Sequence, residues 1–500
     1  SSAFFGVDTL DLLGRKTHNL EVSLIHEAYS LRNQSASLTR TGFTGPDFKE
    51  GAGAAVGTGS STSLDNQTIE SYLALLSYDY RNKYYLTANI RRDGTSRFSP
   101  TSRWGTFGSV GLGWIVSDEP FMDFSKSWLS LFKVRGSYGV TGQQDLGAGY
   151  YVWRSRYNFN HNNLNPGVEF ATWGNADLKW EGRLQANVGF DAEFFNSRLR
   201  VGFDYFNNGS RDMLYGQPLA SSTGVGSIPT NIGDMLNKGV ELSINADIVK
   251  SKGTGFNWNT RLNLTHLKNR LTKSQTGDTI ITGARIIGEG YPVNAWYMVE
   301  YAGVDPESGV ALYYRGDRTT TDDYASLTSA DYKYFGSPFR DLDGSWTNNF
   351  TYKNFDLSFM ISFGLGGKFY DATYQNLMAT GSDARGQAWH VDMLNAWTPE
   401  NKETDVPRAS FDDRYGSSTS SRFLISNSFA SLKNVNIGYT FTGKSMTKLG
   451  FSNLRVYVAA DNVFYMAARK GVDLGQELFG NSSFTYYPYR TITFGVNIGL

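Results

Sequence analysis

The residues best equipped to touch a ligand are aromatic rings in long connecting stretches: Trp153, Tyr157, Trp173, Trp180 and Tyr374. Such rings can stack on the faces of sugars or meet a partner protein. They can equally anchor the loops to one another, and the sequence leaves both readings open. Trp397 shares the loop setting. The second chemically capable set is charged: Arg183, Asp191, Glu193, Arg200, Asp204, Glu241 and Asp247. A polar wall of this kind could bind solute, while cross-strand ion pairing is the simpler expectation.

Other candidates dissolve on inspection of their spacing. The five histidines (His18, His26, His161, His266 and His390) are dispersed and none stands at metal-ligand spacing. Residues 51–57 (GAGAAVG) lack the fingerprint spacing of a phosphate loop and no helix follows, so a surface loop is expected. Asp341, Asp343 and Gly344 lack the later ligands of a cation loop. Asp305 to Gly309 read as turn chemistry. No Gly-x-Ser-x-Gly elbow is present, and no Ser–His–acid set is brought together by sequence. No enzyme activity, metal or cofactor is expected.

These residues must be positioned by strands, because the dominant pattern is a period of two. Leu184, Ala186, Val188, Phe190, Ala192 and Phe194 alternate with Arg183, Gln185, Asn187, Gly189, Asp191 and Glu193. Val240 to Ile248 and Ile492 to Leu500 repeat the alternation, and similar segments occur near 67–80, 84–93, 104–116, 128–140, 256–267, 346–363, 428–440 and 452–463. Successive side chains of a strand point to opposite faces, so each segment has one apolar and one polar face. The chain is read as all-β.

Composition agrees and narrows the class. Aromatics make up 15% of the chain, with 30 Tyr, 33 Phe and 11 Trp, against 54 Gly and 12 Pro. Lys and Arg together number 47, as do Asp and Glu, so no basic face for nucleic acid is indicated. Cysteine is absent, which excludes disulfides and thiolate metal sites. No run approaches the roughly 18 apolar residues of a membrane helix. The opening Ser1-Ser2-Ala3-Phe4-Phe5 has neither the basic nor the apolar region of a signal peptide.

Alternation fits a soluble sheet with its apolar face inside, or a membrane barrel with that face in lipid. Segment length separates them: clean alternation lasts about 9–14 residues, the length a tilted strand needs to cross a bilayer. Connections alternate too. Short ones fall at 81–83, 196–197, 250–255 and 353–354; long ones are expected at 31–66, 142–182, 211–234, 271–293, 371–423 and 465–487. Short turns on one side and long loops on the other are the asymmetry of outer-membrane barrels, the short turns being periplasmic. On this count Leu500 falls on the periplasmic side. Tyr80, Tyr84, Phe195, Tyr352 and Phe355 lie beside short turns, as an interfacial girdle or as hairpin packing. A transmembrane antiparallel outer-membrane β-barrel is expected, with about sixteen strand segments.

Seven segments sharpen this: residues 84–98 (YYLTANIRRDGTSRF), 302–309 (AGVDPESG), 396–401 (AWTPEN), 431–439 (SLKNVNIGY), 454–457 (LRVY), 461–464 (DNVF) and 487–491 (YPYRT). In kind and in order they resemble the SusC/RagA family of TonB-dependent transporters of Bacteroidetes outer membranes. The resemblance implies a 22-stranded barrel, an N-terminal plug, a TonB-contacting segment driven by TonB–ExbB–ExbD, a SusD-like surface lipoprotein as lid, and uptake of a glycan or peptide through a wall facing outer-membrane lipid. Neither plug nor TonB box is found in residues 1–500. The chain is therefore expected to be the C-terminal portion of the barrel of a transporter of roughly twice this length. Leu500, where such strands usually end in an aromatic, departs from the pattern. A passive porin and a surface adhesin or structural β protein are the alternatives.

Overall fold

In a computed structural model the structure describes residues 2–10, 16–47, 50–145, 149–162, 165–231, 233–251, 253, 255–274, 279–381, 386, 388–443, 446, 450–475, 479–482 and 486–499. Leu500 lies outside the described residues, as does the side chain of His161.

Fifteen strands are hydrogen-bonded in chain order in one antiparallel sheet among the described residues. They are β1 (Ser2–Leu10), β2 (Lys16–Phe43), β3 (Ala54–Tyr80), β4 (Tyr84–Thr95), β5 (Trp104–Ile115), β6 (Leu129–Gln143), β7 (Glu181–Phe194), β8 (Leu199–Arg211), β9 (Gly233–Val249), β10 (Asn257–Ser274), β11 (Leu342–Tyr352), β12 (Phe355–Leu365), β13 (Phe429–Phe441), β14 (Asn453–Ala467) and β15 (Thr491–Gly499). The chain divides into two compact units: residues 1–114, 135–186 and 208–234 form the first, and residues 115–134, 187–207 and 235–500 the second.

In the first unit the register assembles one apolar face. Leu20, Val22 and Leu24 on β2 stand opposite Tyr78, Leu76 and Ala74 on β3. Those in turn face Leu86, Ala88 and Ile90 on β4, which face Leu112, Val110 and Gly108 on β5. This face is not covered: Ile90 is 56% and Leu112 61% exposed. A soluble sheet would bury it; an exposed apolar face this extensive belongs in lipid. Aromatic rows bound it at both ends. At the turn end His18, Tyr80, Tyr84 and Trp114 lie at successive ring separations of 4.8, 6.1 and 6.2 Å. At the far end stand His26, Tyr72 and Trp104, with the Arg92 guanidinium 5.5 Å from the Trp104 ring. From Trp104 to Trp114 a strand rises about 33 Å at about 3.3 Å per residue. Tilted at ~40°, it covers about 25 Å along the membrane normal, the height of an outer-membrane apolar band.

The second unit repeats the design. Phe355, Leu357 and Phe359 pair with Tyr439, Ile437 and Val435, and Val456, Val458 and Ala460 with Val496, Phe494 and Ile492. Phe494 is 79% exposed. A polar pair interrupts the face, Thr260 opposite Asn348; Asn348, which also faces Phe359, is buried beneath Trp258, whose Nε1 donates to its Oδ1 at 2.9 Å.

The short turns fall where expected, with left-handed φ at Arg81, Asn82, Phe195, Asn196, Ser197 and Lys353. The long loops do not all hold. Residues 31–66 are not a loop: β2 and β3 stay paired from His18↔Tyr80 out to Phe43↔Ala54, closed by a 3-10 turn at Gly51–Gly53. Most of this extension is Ser, Thr, Asn, Gln and Gly, so neither face is apolar and the period-two signal vanishes although the ladder continues. The glycine-rich run 51–57 is its tip. Residues 279–341 likewise fold into small sheets, one of four strands (Ile280–Thr282, Arg285–Ile287, Ala295–Val299, Tyr332–Gly336) and one of three. The fully buried side chains Trp296, Met298, Val299, Tyr313, Phe369 and Phe423 all sit in connections, not in the sheet. The reason is solvent: a wall between lipid and water leaves both faces exposed to something other than protein, so the largest dry clusters form in the folded loops.

Candidate functional site

Polar faces come first. Arg91 on β4 reaches Glu27 at 3.0 Å, Asp93 at 2.5 Å and Ser71 at 2.9 Å. Arg183 pairs with Glu181 at 3.4 Å, Arg200 with Glu193 at 3.8 Å, and Lys250 with Asp247 at 3.7 Å. Arg455 grips Asp356 at 2.6 Å. Glu241 is exposed and has no ion pair among the described residues. Most of the charges noted in the sequence are thus neutralised within the wall, which keeps a wet face polar at little cost.

The loops of the first unit are organised by two adjacent residues of the 84–98 segment. Arg97, 8% exposed, donates to Asp145 at 2.9 Å and to Gln67 at 3.3 Å, and its guanidinium lies 4.4 Å from the Tyr150 ring. Phe98 is fully buried with Val152 and Leu178, against Trp180 and Leu214. Trp180 belongs to this core: its ring lies 5.5 Å from Phe98 and 5.3 Å from Phe107, and its Nε1 donates to the Arg103 carbonyl at 3.0 Å. Trp153 lies under the Arg154 guanidinium at 4.3 Å, with its Nε1 buried and no partner among the described residues.

Tyr157 and Trp173 are placed differently. A hairpin, Arg156–Asn162 with Asn165–Thr172, sets Tyr157 opposite Phe170 with ring centroids 5.6 Å apart, and Trp173 closes on Phe170 at 4.6 Å. Tyr157 is 58% and Trp173 50% exposed. Three rings therefore form one accessible aromatic surface, able to stack on a ligand.

In the second unit Asp371, 1% exposed, caps the short helix Ala372–Leu377. It accepts from Tyr374 N at 2.9 Å and Ser482 Oγ at 3.2 Å, and pairs with Arg469 at 2.8 Å. Tyr374 lies 3.4 Å from the Arg469 guanidinium, edge-on to His390, and its hydroxyl donates to Asp392 at 2.8 Å. Burial, reinforced by that bond, pushes its phenol up to about 12. Tyr374 lines a cavity of about 230 Å³ with Phe369, Arg469, Tyr486 and Tyr487, but its own polar group is spent. Tyr486, 85% exposed at the rim, and the Asp371–Arg469 pair escaped sequence reasoning because each needs the 371–395 and 465–487 stretches brought together.

Two of the sequence segments meet each other. Trp397 Nε1 donates to the Pro306 carbonyl at 3.1 Å, its ring covers Gly309, and Lys402 pairs with Glu307 at 3.2 Å. Asp305 accepts from Ser308 Oγ and Glu307 N, and Gly309 takes a left-handed φ of 73°. Those bonds hold the Asp305 carboxyl below its ordinary range. The turn and Trp397 are structural. So is Asp343, paired to Arg340 at 3.1 Å. The described histidines remain apart, and no group of metal-holding side chains occurs among the described residues.

This wall-and-loop arrangement is shared. Residues 4–368 match the family described as "TonB dependent receptor-like, beta-barrel". The chain belongs to that family. It is an outer-membrane receptor chain, and its family comprises transporters and receptors rather than enzymes. The receptor chain is 29% identical over 516 residues to TonB-dependent receptor P3 of Formosa agariphila, covering 96% of this chain and 50% of that protein. It is 29% identical over 456 residues to TonB-dependent receptor SusC of Bacteroides thetaiotaomicron, covering 87% of this chain and 44% of that one. The receptor chain thus spans about half the length of the curated relatives it matches. In fold it superposes on the structure titled "Structure of the RagAB peptide transporter" with a TM-score of 0.85 at 24% identity, over 99% of this chain and 54% of that chain.

Proposed function

We propose that this chain is the C-terminal barrel portion of an importer of roughly twice its length, which takes up an oligosaccharide or peptide across the outer membrane. The observation that carries the reading is the wall itself, with one exposed apolar face, one polar face threaded by ion pairs, and folded loops at the outer end. Its likeness to a chain named SusC and to the fold of a peptide transporter supports this reading over a soluble adhesin. A SusD-like lipoprotein lid would hold the solute against the loops. TonB–ExbB–ExbD would supply energy through the plug and the TonB-contacting segment of the whole transporter. Among the loop aromatics, Tyr157 and Trp173 with Phe170 offer the stacking surface, while Trp153 and Trp180 belong to the loops of the same unit and Tyr374 is spent in a loop of the other.

The test is uptake of labelled oligosaccharides and peptides by cells carrying the full-length transporter, with and without TonB. TonB-dependent accumulation of one class is the expected result. Single-channel conductance from this chain alone, with uptake indifferent to TonB, would establish the passive-pore alternative instead.

A further inference from the structure

The apolar rows of β9 and β10 end abruptly in positive charge. On β9 the even positions from Val240 to Ile248 are apolar, and the next one outward is Lys238. On β10 Phe350 and Trp346 of β11 register with Trp258 and Leu262, the row continues through Leu264 and His266, and then come Lys268 and Arg270. On the opposite face Asn269 donates to Asn237 at 2.6 Å, which binds the two strands at this level. Their sequence neighbours Lys268 and Lys238 therefore stand side by side on the lipid-side face. Like charges set beside each other across strands repel. All three cations are exposed, and none has a carboxylate partner among the described residues.

They share a cleft of about 920 Å³ with a fourth exposed cation, Lys368, and two carboxylates, Glu289 and Asp341. Glu289 accepts from Ser274 N at 2.7 Å. Cations exceed anions in its lining. Its height follows from the strand. The short turn 250–255 lies at the inner end, and from Phe256 to His266 the row rises about 33 Å along the strand, about 25 Å along the normal at the usual tilt. Lys268 is the first residue of this row past the hydrocarbon on the outer side.

We propose that Lys238, Lys268 and Arg270, with Lys368 in the same cleft, dock the phosphate of an outer-leaflet lipid headgroup. Ammonium and guanidinium groups at headgroup level are what a phosphorylated lipid recognises, and each contributes through charge-assisted hydrogen bonds. The inference rests on the outward placement of the long connections.

The experiment uses the full-length transporter purified in mild detergent and offered a diphosphorylated glycolipid, the same glycolipid without phosphate, or a zwitterionic phospholipid. Bound lipid is counted by native mass spectrometry. We expect selective retention of the phosphorylated form. The combined variant Lys238→Gln, Lys268→Gln and Arg270→Gln should weaken it roughly a hundredfold, at about fivefold per cation. Equal retention of the dephosphorylated lipid, or by the variant, overturns the proposal. So does displacement of the lipid by equimolar inorganic phosphate, which identifies a free-anion site. If the combined variant does not migrate as a folded barrel, Lys268→Gln alone is compared with Lys250→Gln at the inner turn, and only the former should lose lipid. Failure of the outward placement would show differently, with Lys250→Gln losing the lipid and Lys268→Gln keeping it.

Discussion

Arg455 of β14 reaches over the whole of β13 to take Asp356 of β12, its Nη2 2.6 Å and its Nε 3.0 Å from the carboxylate oxygens. The reach is possible because Gly438 of β13 lies beneath: a Cβ there would stand 2.5 Å from Arg455 Nη2 and 2.6 Å from Asp356 Oδ1. Asn436 accepts a further bond from Arg455 at 2.7 Å. One glycine thus lets three strands share a single fork-shaped bridge on the wet face.

Gly438→Val should therefore disrupt more than removal of the charge it protects. Asp356→Ala should cost about 1 kcal/mol, since both partners remain partly in water. The valine variant should exceed that and slow assembly, because a side chain must displace the bridge. Heat-modifiable migration across a urea series measures both, and equal midpoints for the two variants would refute the argument.

Trp397 locks one loop segment to another, so its loss should melt loops and spare the wall. Trp397→Ala should expose residues 300–310 and 396–406 to protease while the folded band persists on gels. Gly309→Ala should act in the same direction at about 1–2 kcal/mol, the cost of a left-handed residue with a Cβ.

The exposed aromatic surface separates ligand contact from scaffold. Tyr157→Ala with Trp173→Ala should weaken solute binding roughly tenfold, at about 1 kcal/mol or a little less per stacking ring, with the loops unmoved. Trp180→Ala should instead destabilise the loop core by about 3–5 kcal/mol. Binding titrations and limited proteolysis on the same preparations distinguish them. The opposite assignment would follow if Trp180→Ala alone lost ligand without becoming protease-sensitive.

Alkaline pH should loosen the Tyr374 loop. Its phenol is raised by burial to about 12, and that of an unfolded chain stays near 10. Below pH 10 both states hold the proton and stability is unaffected. Between about 10 and 12 only the unfolded phenol ionises, so stability falls as pH rises. Tyr301 and Tyr324, also raised to about 12 by burial, act in the same direction. Tyr374→Phe should flatten its share of this loss, read as protease sensitivity of residues 371–395 against pH.

The wall was legible from residue order because alternation is local. Val456, Tyr457 and Val458 declare two faces without knowledge of any partner strand. The extension of β2 and β3 was not, because Ser60 and Thr62 lie where both faces are wet and no apolar beat marks the strand. The loop cores were not legible either. Trp296, Tyr313 and Phe423 carry no period, and their burial depends on which distant segments meet.

Sequence by itself determined an all-β wall for lipid, its turn side and loop side, and the segments that mark its family. Tertiary structure alone decided which aromatics are free. Tyr157 and Trp173 are left on a hairpin face, whereas Trp180 and Tyr374 are consumed by Phe98 and by Asp392. It also decided that Gly438 must stay small under Arg455 and Asp356. The physical reason is dependence on tertiary packing: the side of a strand follows from alternation along the strand itself, whereas the availability of a ring depends on which other segments fold against it, as with Phe98 on Trp180 and Asp392 on Tyr374.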